Sequence, residues 1–197
     1  MHRSRALWLL LLTATAPAQQ AAPSRLDSLP TPQRWMQHLT QELMPFWTMP
    51  QALGSPLGAF PTNRYNNGDT VRPGMPPPDS TQQTRQRWGW YSGLSVVSLS
   101  RQTYAYCVAY YMTGEERYLR YAKAGVDWLL RYGRQQDGAF YDFVDRETLK
   151  GSPRGGSPMV AAAAYGLLGP SMYYCLTRDR EVWWAIQQAH RYNIRGN

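Results

Sequence analysis

Taking up a proton and returning it near neutral pH is work suited to histidine. The chain carries three: His2, His38 and His190. His2 stands at the extreme N-terminus, while His38 and His190 sit in amphipathic helical patterns. With no second histidine or carboxylate expected beside either, both are read as helix-surface or partly packed residues. Arg101 offers different chemistry, because a planar guanidinium donates several hydrogen bonds to hydroxyl or enediolate oxygens and stabilises negative charge as a carbonyl polarises. The competing role is a salt bridge or a helix cap. In the middle of an apolar helix an arginine is costly to bury without a defined partner.

Tyr104 lies one turn beyond Arg101, so both are expected on one side of the helix. Tyr104 and Tyr141 are candidate pocket aromatics, with ordinary core packing as the alternative. Trp88, Trp90 and Tyr91 pose the same choice and are expected in the core. The acids Asp137, Asp142, Asp145 and Glu147 fall within one loop. Such a cluster fits turn chemistry and solvated surface better than two carboxylates facing each other across a substrate. No Cys/His spacing points to a metal and no glycine-rich phosphate loop is present, so no cofactor is expected.

The elements that must hold these residues are helical. Residues from Arg101 to Leu130 carry a pattern that returns sixty-four residues later: AYYMTGEERYLRYAKAGVDWLL is echoed by SMYYCLTRDREVWWAIQQAHRYNI. Thr113 aligns with Thr177, Glu115 with Asp179 and Leu130 with Ile194. Each copy reads as an aromatic-rich helix, a short polar turn and a helix opened by an acid, a hairpin that cannot bury its apolar face alone. Upstream, Thr31 and Pro32 read as an N-cap and first helical residue, followed by the stripe Trp35, Leu39, Leu43 and Phe46. Thr48 to Arg87 holds seven prolines and forms a long irregular connection, in which Phe60 and Tyr65 favour order.

Helix resumes near Ser92, with Leu94, Val97, Tyr104, Val108 and Tyr111 as apolar positions up to Met112. Thr113 is expected to cap the next helix, whose Leu119, Ala122, Val126 and Leu129 line its buried side. Asp137-Gly138 marks a turn before a short extended segment at 139–143. A further helix is expected from Met159 to Leu176, and Asp179 opens the last one.

His2, Arg3 and Arg5 precede an apolar run from Ala6 to Leu12, and Ala16-Pro17-Ala18 offers a cleavage site. Residues 1–18 therefore read as a secretory signal peptide, 19–30 as a linker and 31–197 as the folded domain. The apolar run is short of the ~20 residues that span a bilayer, so no integral span and a secreted or periplasmic location are expected. Loss of Arg3 and Arg5 lowers the formal charge from +8 to +6. The remaining basic residues are scattered, which argues against nucleic acid as a partner. Cys107 and Cys175 occupy non-equivalent positions of the repeat. Packing as small buried residues is favoured for them over a disulfide.

Several segments resemble the N-acylglucosamine 2-epimerase family: Ser100-Arg101-Gln102-Thr103-Tyr104, Thr113 to Leu119, Ala122, and Asp127-Trp128-Leu129-Leu130. Asp137 to Tyr141 is similar to the family's segment of Asp, paired glycines and an aromatic, with Ala139 replacing the second glycine. Pro45-Phe46-Trp47 and Gly58-Ala59-Phe60 are similar to its opening helix and first Gly-Gly-aromatic segment. The resemblance runs from about Thr31 to Asn197. It implies an all-α fold, an incomplete (α/α)6 toroid of helical hairpins covering about the N-terminal half. Six hairpins of this period need about four hundred residues, so an open toroid edge, exposed Trp183, Trp184 and Ile186, and self-association are expected.

The resemblance also implies a small-molecule sugar as partner and proton transfer at C2 of a reducing sugar, as in sugar 2-epimerases and mannose-type aldose-ketose isomerases. Arg101 matches the family's arginine that projects toward the sugar oxygens, and Tyr141 the aromatic end of the Asp-Gly segment. The family's catalytic histidines lie in later hairpins, so a fragment without them is expected. The alternatives are a glycoside hydrolase or lyase on the same toroid and a non-catalytic secreted sugar-binding protein.

Overall fold

The computed structural model describes residues 29–71, 93–152 and 160–195. The signal-peptide segment and Trp88, Trp90 and Tyr91 lie outside the described residues. The chain divides into two units, residues 1–36 and 37–197. In the first, Thr31 opens helix α1 (Pro32–Gln37), its hydroxyl accepting a hydrogen bond from the Arg34 backbone N–H at 3.2 Å. The expected cap is in place.

The second unit begins with a π-helical turn at His38–Leu43, followed by α2 (Met44–Trp47) and α3 (Pro50–Leu53). The wider turn rotates the expected stripe: Leu43 is exposed and Met44 is buried instead. After a short strand β1 (Leu94–Ser95) come α4 (Val96–Thr113) and α5 (Glu116–Trp128), which ends in a second π-helical turn, Leu129–Gly133. Strands β2 (Phe143–Val144) and β3 (Gly151–Ser152) complete a three-stranded antiparallel sheet ordered β1-β2-β3, with Leu94 opposite Val144 and Phe143 opposite Ser152. Helices α6 (Val160–Gly166), α7 (Leu168–Thr177) and α8 (Arg180–Arg195) follow. The described structure is therefore mostly helical, and none of its helices is long and apolar enough to cross a membrane.

The two hairpin joints are superimposable in their bonding. The Thr113 hydroxyl donates back to Ala109 O at 2.7 Å and accepts from Glu115 N at 3.2 Å. Thr177 does the same with Tyr173 O (2.9 Å) and Asp179 N (3.3 Å). Between them Gly114 (φ 71°) and Arg178 (φ 59°) take the left-handed conformation that ends a helix. Thr113 thus closes α4 and braces the turn rather than standing at the N-cap of α5, which is Glu115 with no side-chain cap bond. Asp179 does cap α8, accepting from Glu181 N and Val182 N.

Helix α4 is the centre of the unit, and its buried side differs from the expected one. Val96, Leu99, Ser100, Thr103, Tyr106 and Cys107 are buried, whereas Tyr104 and Tyr111 are exposed. A helix apolar on all sides gives periodicity little to choose between, and close approach decides instead. Gly125 of α5 and Gly169 of α7 lie so near α4 that an added Cβ would stand 2.3 Å from Thr103 Oγ1 and 2.7 Å from Ser100 O, respectively. Small residues let two helices pack close against one. Phe60, Tyr106 and Tyr121 fill the space with edge-on ring pairs at 5.2 and 5.5 Å.

The helix expected from Met159 to Leu176 is broken at Leu167 into α6 and α7. Pro170 has no N–H for the carbonyl of Gly166 four residues earlier. Ser100 replaces it: its hydroxyl donates to Gly166 O at 3.3 Å and accepts from Gly169 N at 2.9 Å.

Candidate functional site

A cavity of about 350 Å3 opens beside the middle of α4, between that helix, α2 and the segment after Phe60. It falls at the small end of the ~300–1,000 Å3 range of small-molecule sites. Met44, Trp47, Pro61 and Tyr106 give it an apolar wall, and Thr62, Ser98, Arg101 and Gln102 supply polar groups. Ser98, Arg101, Gln102 and Ala105 reach it together because residues three and four apart share a helix face.

Most of these polar groups are committed to the fold. The Gln102 amide donates to Ala52 O at 2.9 Å and to the Tyr106 hydroxyl at 2.8 Å, and that hydroxyl donates to Trp47 O. Burial pushes the Tyr106 phenol up to about 12, against the opposing hydrogen bond from Gln102 and the charge of Arg64, so it stays protonated through neutral pH. The Thr62 hydroxyl donates to Gly93 O and accepts from Ser95 N at 2.7 Å. These bonds tie α3, α2 and the start of α4 into a fixed wall. The groups left to meet a ligand are the Arg101 guanidinium and the Ser98 hydroxyl, neither of which hydrogen-bonds to another described side chain.

Trp47 is held from behind. The Arg64 guanidinium lies 4.0 Å from the Phe46 ring centre and 5.0 Å from that of Trp47, and donates to Phe46 O at 3.0 Å. Its second terminal nitrogen is buried without a partner, and desolvation lowers its pKa from the usual arginine value. Nothing in the sequence pattern singled out Arg64, although Arg134 is its counterpart, stacked 5.5 Å over Trp184 and bonded to Gln188 at 2.8 Å.

The three sequence-predicted site residues do not converge. Arg101 lines the cavity and is exposed, so the burial cost expected for it does not arise; its guanidinium also lies 5.9 Å over the Tyr165 ring. Tyr104 is exposed on α4 outside the cavity lining. Tyr141 is half-buried, its ring packed flush on Gly151, where an added Cβ would stand 2.0 Å away. Trp47, Ser98 and Gln102 are the residues that sequence reasoning missed. Gln102 stands in the segment quoted for the family resemblance, and Trp47 in the Pro45-Phe46-Trp47 segment, so position next to Arg101 and in the opening helix was the available signal.

The described histidines, carboxylates and cysteines lie elsewhere. His38 is bonded through Nδ1 to Glu42 Oε2 at 2.7 Å, one helical turn on, a pairing the sequence analysis did not foresee. His190 is exposed on α8. In the acidic loop, Asp137 Oδ1 accepts from Ala139 N, and Asp145 Oδ1 accepts from Glu147 N and from Thr148 N and Oγ1. The bonds from Thr148 and Glu147 hold Asp145 below the ordinary carboxylate value. Asp142 is buried. The expected turn chemistry holds for Asp137 and Asp145, and the expected solvated surface does not hold for Asp142. Cys107 is buried and Cys175 exposed, both as free thiols, with burial pushing the Cys107 thiol up to about 12.

Fold and site together define a helical-hairpin protein with a small one-sided polar cavity. The chain matches no protein-family model and no curated protein sequence.

Proposed function

We propose that this chain is an exported carbohydrate-active protein similar to the sugar 2-epimerases and mannose-type isomerases, built as part of an (α/α)6 toroid, and that the cavity beside Arg101 holds a reducing sugar. The observation that carries this reading is the cavity itself: one indole at its edge, Trp47, stands with an uncommitted guanidinium and hydroxyl on the neighbouring helix. A sugar presents an apolar C–H face and a rim of hydroxyls, and an aromatic platform with convergent donors complements both.

No histidine or carboxylate is among the described lining residues. The cavity's share of the chemistry is therefore to bind and orient the sugar and, through Arg101, to stabilise negative charge on an oxygen as a neighbouring proton leaves. Proton transfer at C2 is proposed only as the reaction of the resembling family.

Proton NMR in deuterated water tests both levels. Saturation transfer to glucose, mannose or their N-acetylated amino sugars, lost in Trp47→Ala, supports the binding site, and deuterium appearing at C2 supports the isomerase chemistry. Transfer to no sugar in the panel overturns the reading, and binding without exchange leaves a sugar-binding protein.

A further inference from the structure

The cavity is electrostatically one-sided. Among the described residues that line it, Arg101 is the single charged one and none is Asp or Glu. Ion pairs of His38 with Glu42, Arg117 with Glu115 and Lys123 with Asp127 are made by residues outside its lining. Arg101 has no carboxylate partner among the described residues, only the Tyr165 ring at 5.9 Å. A permanent cation at the wall of a pocket whose other described lining residues are neutral favours an anion there over a neutral group.

We propose that the sugar taken by this cavity carries a carboxylate, an inference that rests on the sugar-binding reading above. A guanidinium fork matches a carboxylate with two parallel N–H···O bonds. The Ser98 hydroxyl, three residues earlier on the same helix face, is placed to donate a third. With Trp47 as platform for the ring, the cavity recognises a hexuronate by its charge at one end and its C–H face on the other.

A phosphate ester fits the same cation less well. It carries about −1.5 to −2 charges at neutral pH and is best held by more than one cation or by free helix N-terminal amides. The start of α4 is the nearest such terminus, but Val96 N already donates to Asp142 O at 3.1 Å and Ser98 N to Ser95 Oγ at 3.4 Å. One described charge, with these two amides occupied, favours the monoanion.

Calorimetric titration of the full chain with galacturonate, glucuronate, the matching neutral hexoses and glucose 6-phosphate tests this. A hexuronate should bind about tenfold or more tighter than its neutral counterpart, as expected for one charge-assisted hydrogen-bond pair. That ratio should fall toward one in Arg101→Gln and stay intermediate in Arg101→Lys, which keeps the charge and loses the fork. Since Arg101 is exposed, neither change threatens the fold. Equal affinity for acidic and neutral sugars, tighter binding of the phosphate ester, or a preference that persists in Arg101→Gln each overturn the inference. If neutral sugars bind in a Trp47-dependent way without a uronate preference, this inference alone fails; if no sugar binds, the sugar-binding reading fails and takes it along.

Discussion

The triplet Gly-Ala-Phe occurs twice, at 58–60 and 138–140, and the two copies share one backbone geometry with different consequences. Gly58 (φ 98°) and Gly138 (φ 99°) both take a conformation that other residues avoid. Each lies against the second helix of the following hairpin, Gly58 over the carbonyl of Ala124 and Gly138 over that of Gln188. Those two contacts are sixty-four residues apart, the period of the hairpin joints. In both copies the alanine and phenylalanine are buried.

The next residues diverge. After Phe60, Pro61 and Thr62 turn along α4 and leave the cavity beside Trp47 and Arg101. After Phe140, Tyr141 packs on Gly151, and Phe143 and Val144 enter the small sheet. The same glycine geometry thus seats both segments on a helix, and the cavity lies beside the first.

Substitutions that strike the frame should have the largest effects. Gly58→Ala forces a Cβ to 2.3 Å from Ala124 O at a positive φ, and Gly138→Ala places one 2.9 Å from the Gln188 backbone. We expect both to destabilise, by about 3 kcal/mol or more for Gly58 and about 2 kcal/mol for Gly138, read as shifted midpoints of urea unfolding. If the two melt like the wild type, the docking geometry is wrong.

Tyr106→Phe comes next. It removes the donor to Trp47 O and the acceptor of Gln102 while keeping the ring pairs with Phe60 and Tyr121. A loss of about 1–2 kcal/mol is expected, together with weaker sugar binding because the wall at Trp47 loosens. Unchanged affinity alongside lost stability would separate the wall from the site. Arg64→Met should cost about 1 kcal/mol or less, since it loses the stacking on Phe46 and Trp47 but also relieves a buried unpaired nitrogen.

Two smaller effects probe the surface between the helices. A thiol reagent at pH 8 should label one cysteine of the native chain, the exposed Cys175, and both in urea, because burial keeps Cys107 a protonated thiol. Labelling of both before unfolding would contradict the packing of α4. Asp127→Asn breaks the exposed pair with Lys123 at 2.6 Å and should change stability by no more than about 0.5 kcal/mol.

The hairpin joints were legible in the sequence because their chemistry is local: Thr113 and Thr177 each stand two residues before an acid, and the threonine bonds that fix the turn reach only two residues forward and four back. The Gly-Ala-Phe frame was half legible. Each copy was visible by its resemblance, but they are eighty residues apart, off the sixty-four-residue period, because the intervening connections differ in length. Trp183 and Trp184 are exposed as expected, Trp183 stacking on Tyr174 at 4.9 Å and Trp184 receiving Arg134, whereas Ile186, expected to be exposed with them, packs partly into the core.

The cavity was the least legible. Arg101 could be picked out as an ion in an apolar helix, but Trp47, Thr62 and Gln102 meet only after tertiary folding, through bonds spanning 31 to 59 residues. Tyr104 illustrates the limit of spacing arguments. A three-residue step keeps it near Arg101 on the helix surface, yet the cavity takes the side that continues through Gln102 and Ala105.

The central claim is that a sugar lies between Trp47 and Arg101. A crystal structure of the chain soaked with the tightest sugar from the titration panel tests it most directly. The account predicts a pyranose ring stacked on the Trp47 indole with an oxygen in hydrogen-bond reach of the Arg101 guanidinium. A sugar seated instead on the exposed Tyr104 and Tyr165 side of the helices, with the cavity empty, would contradict it.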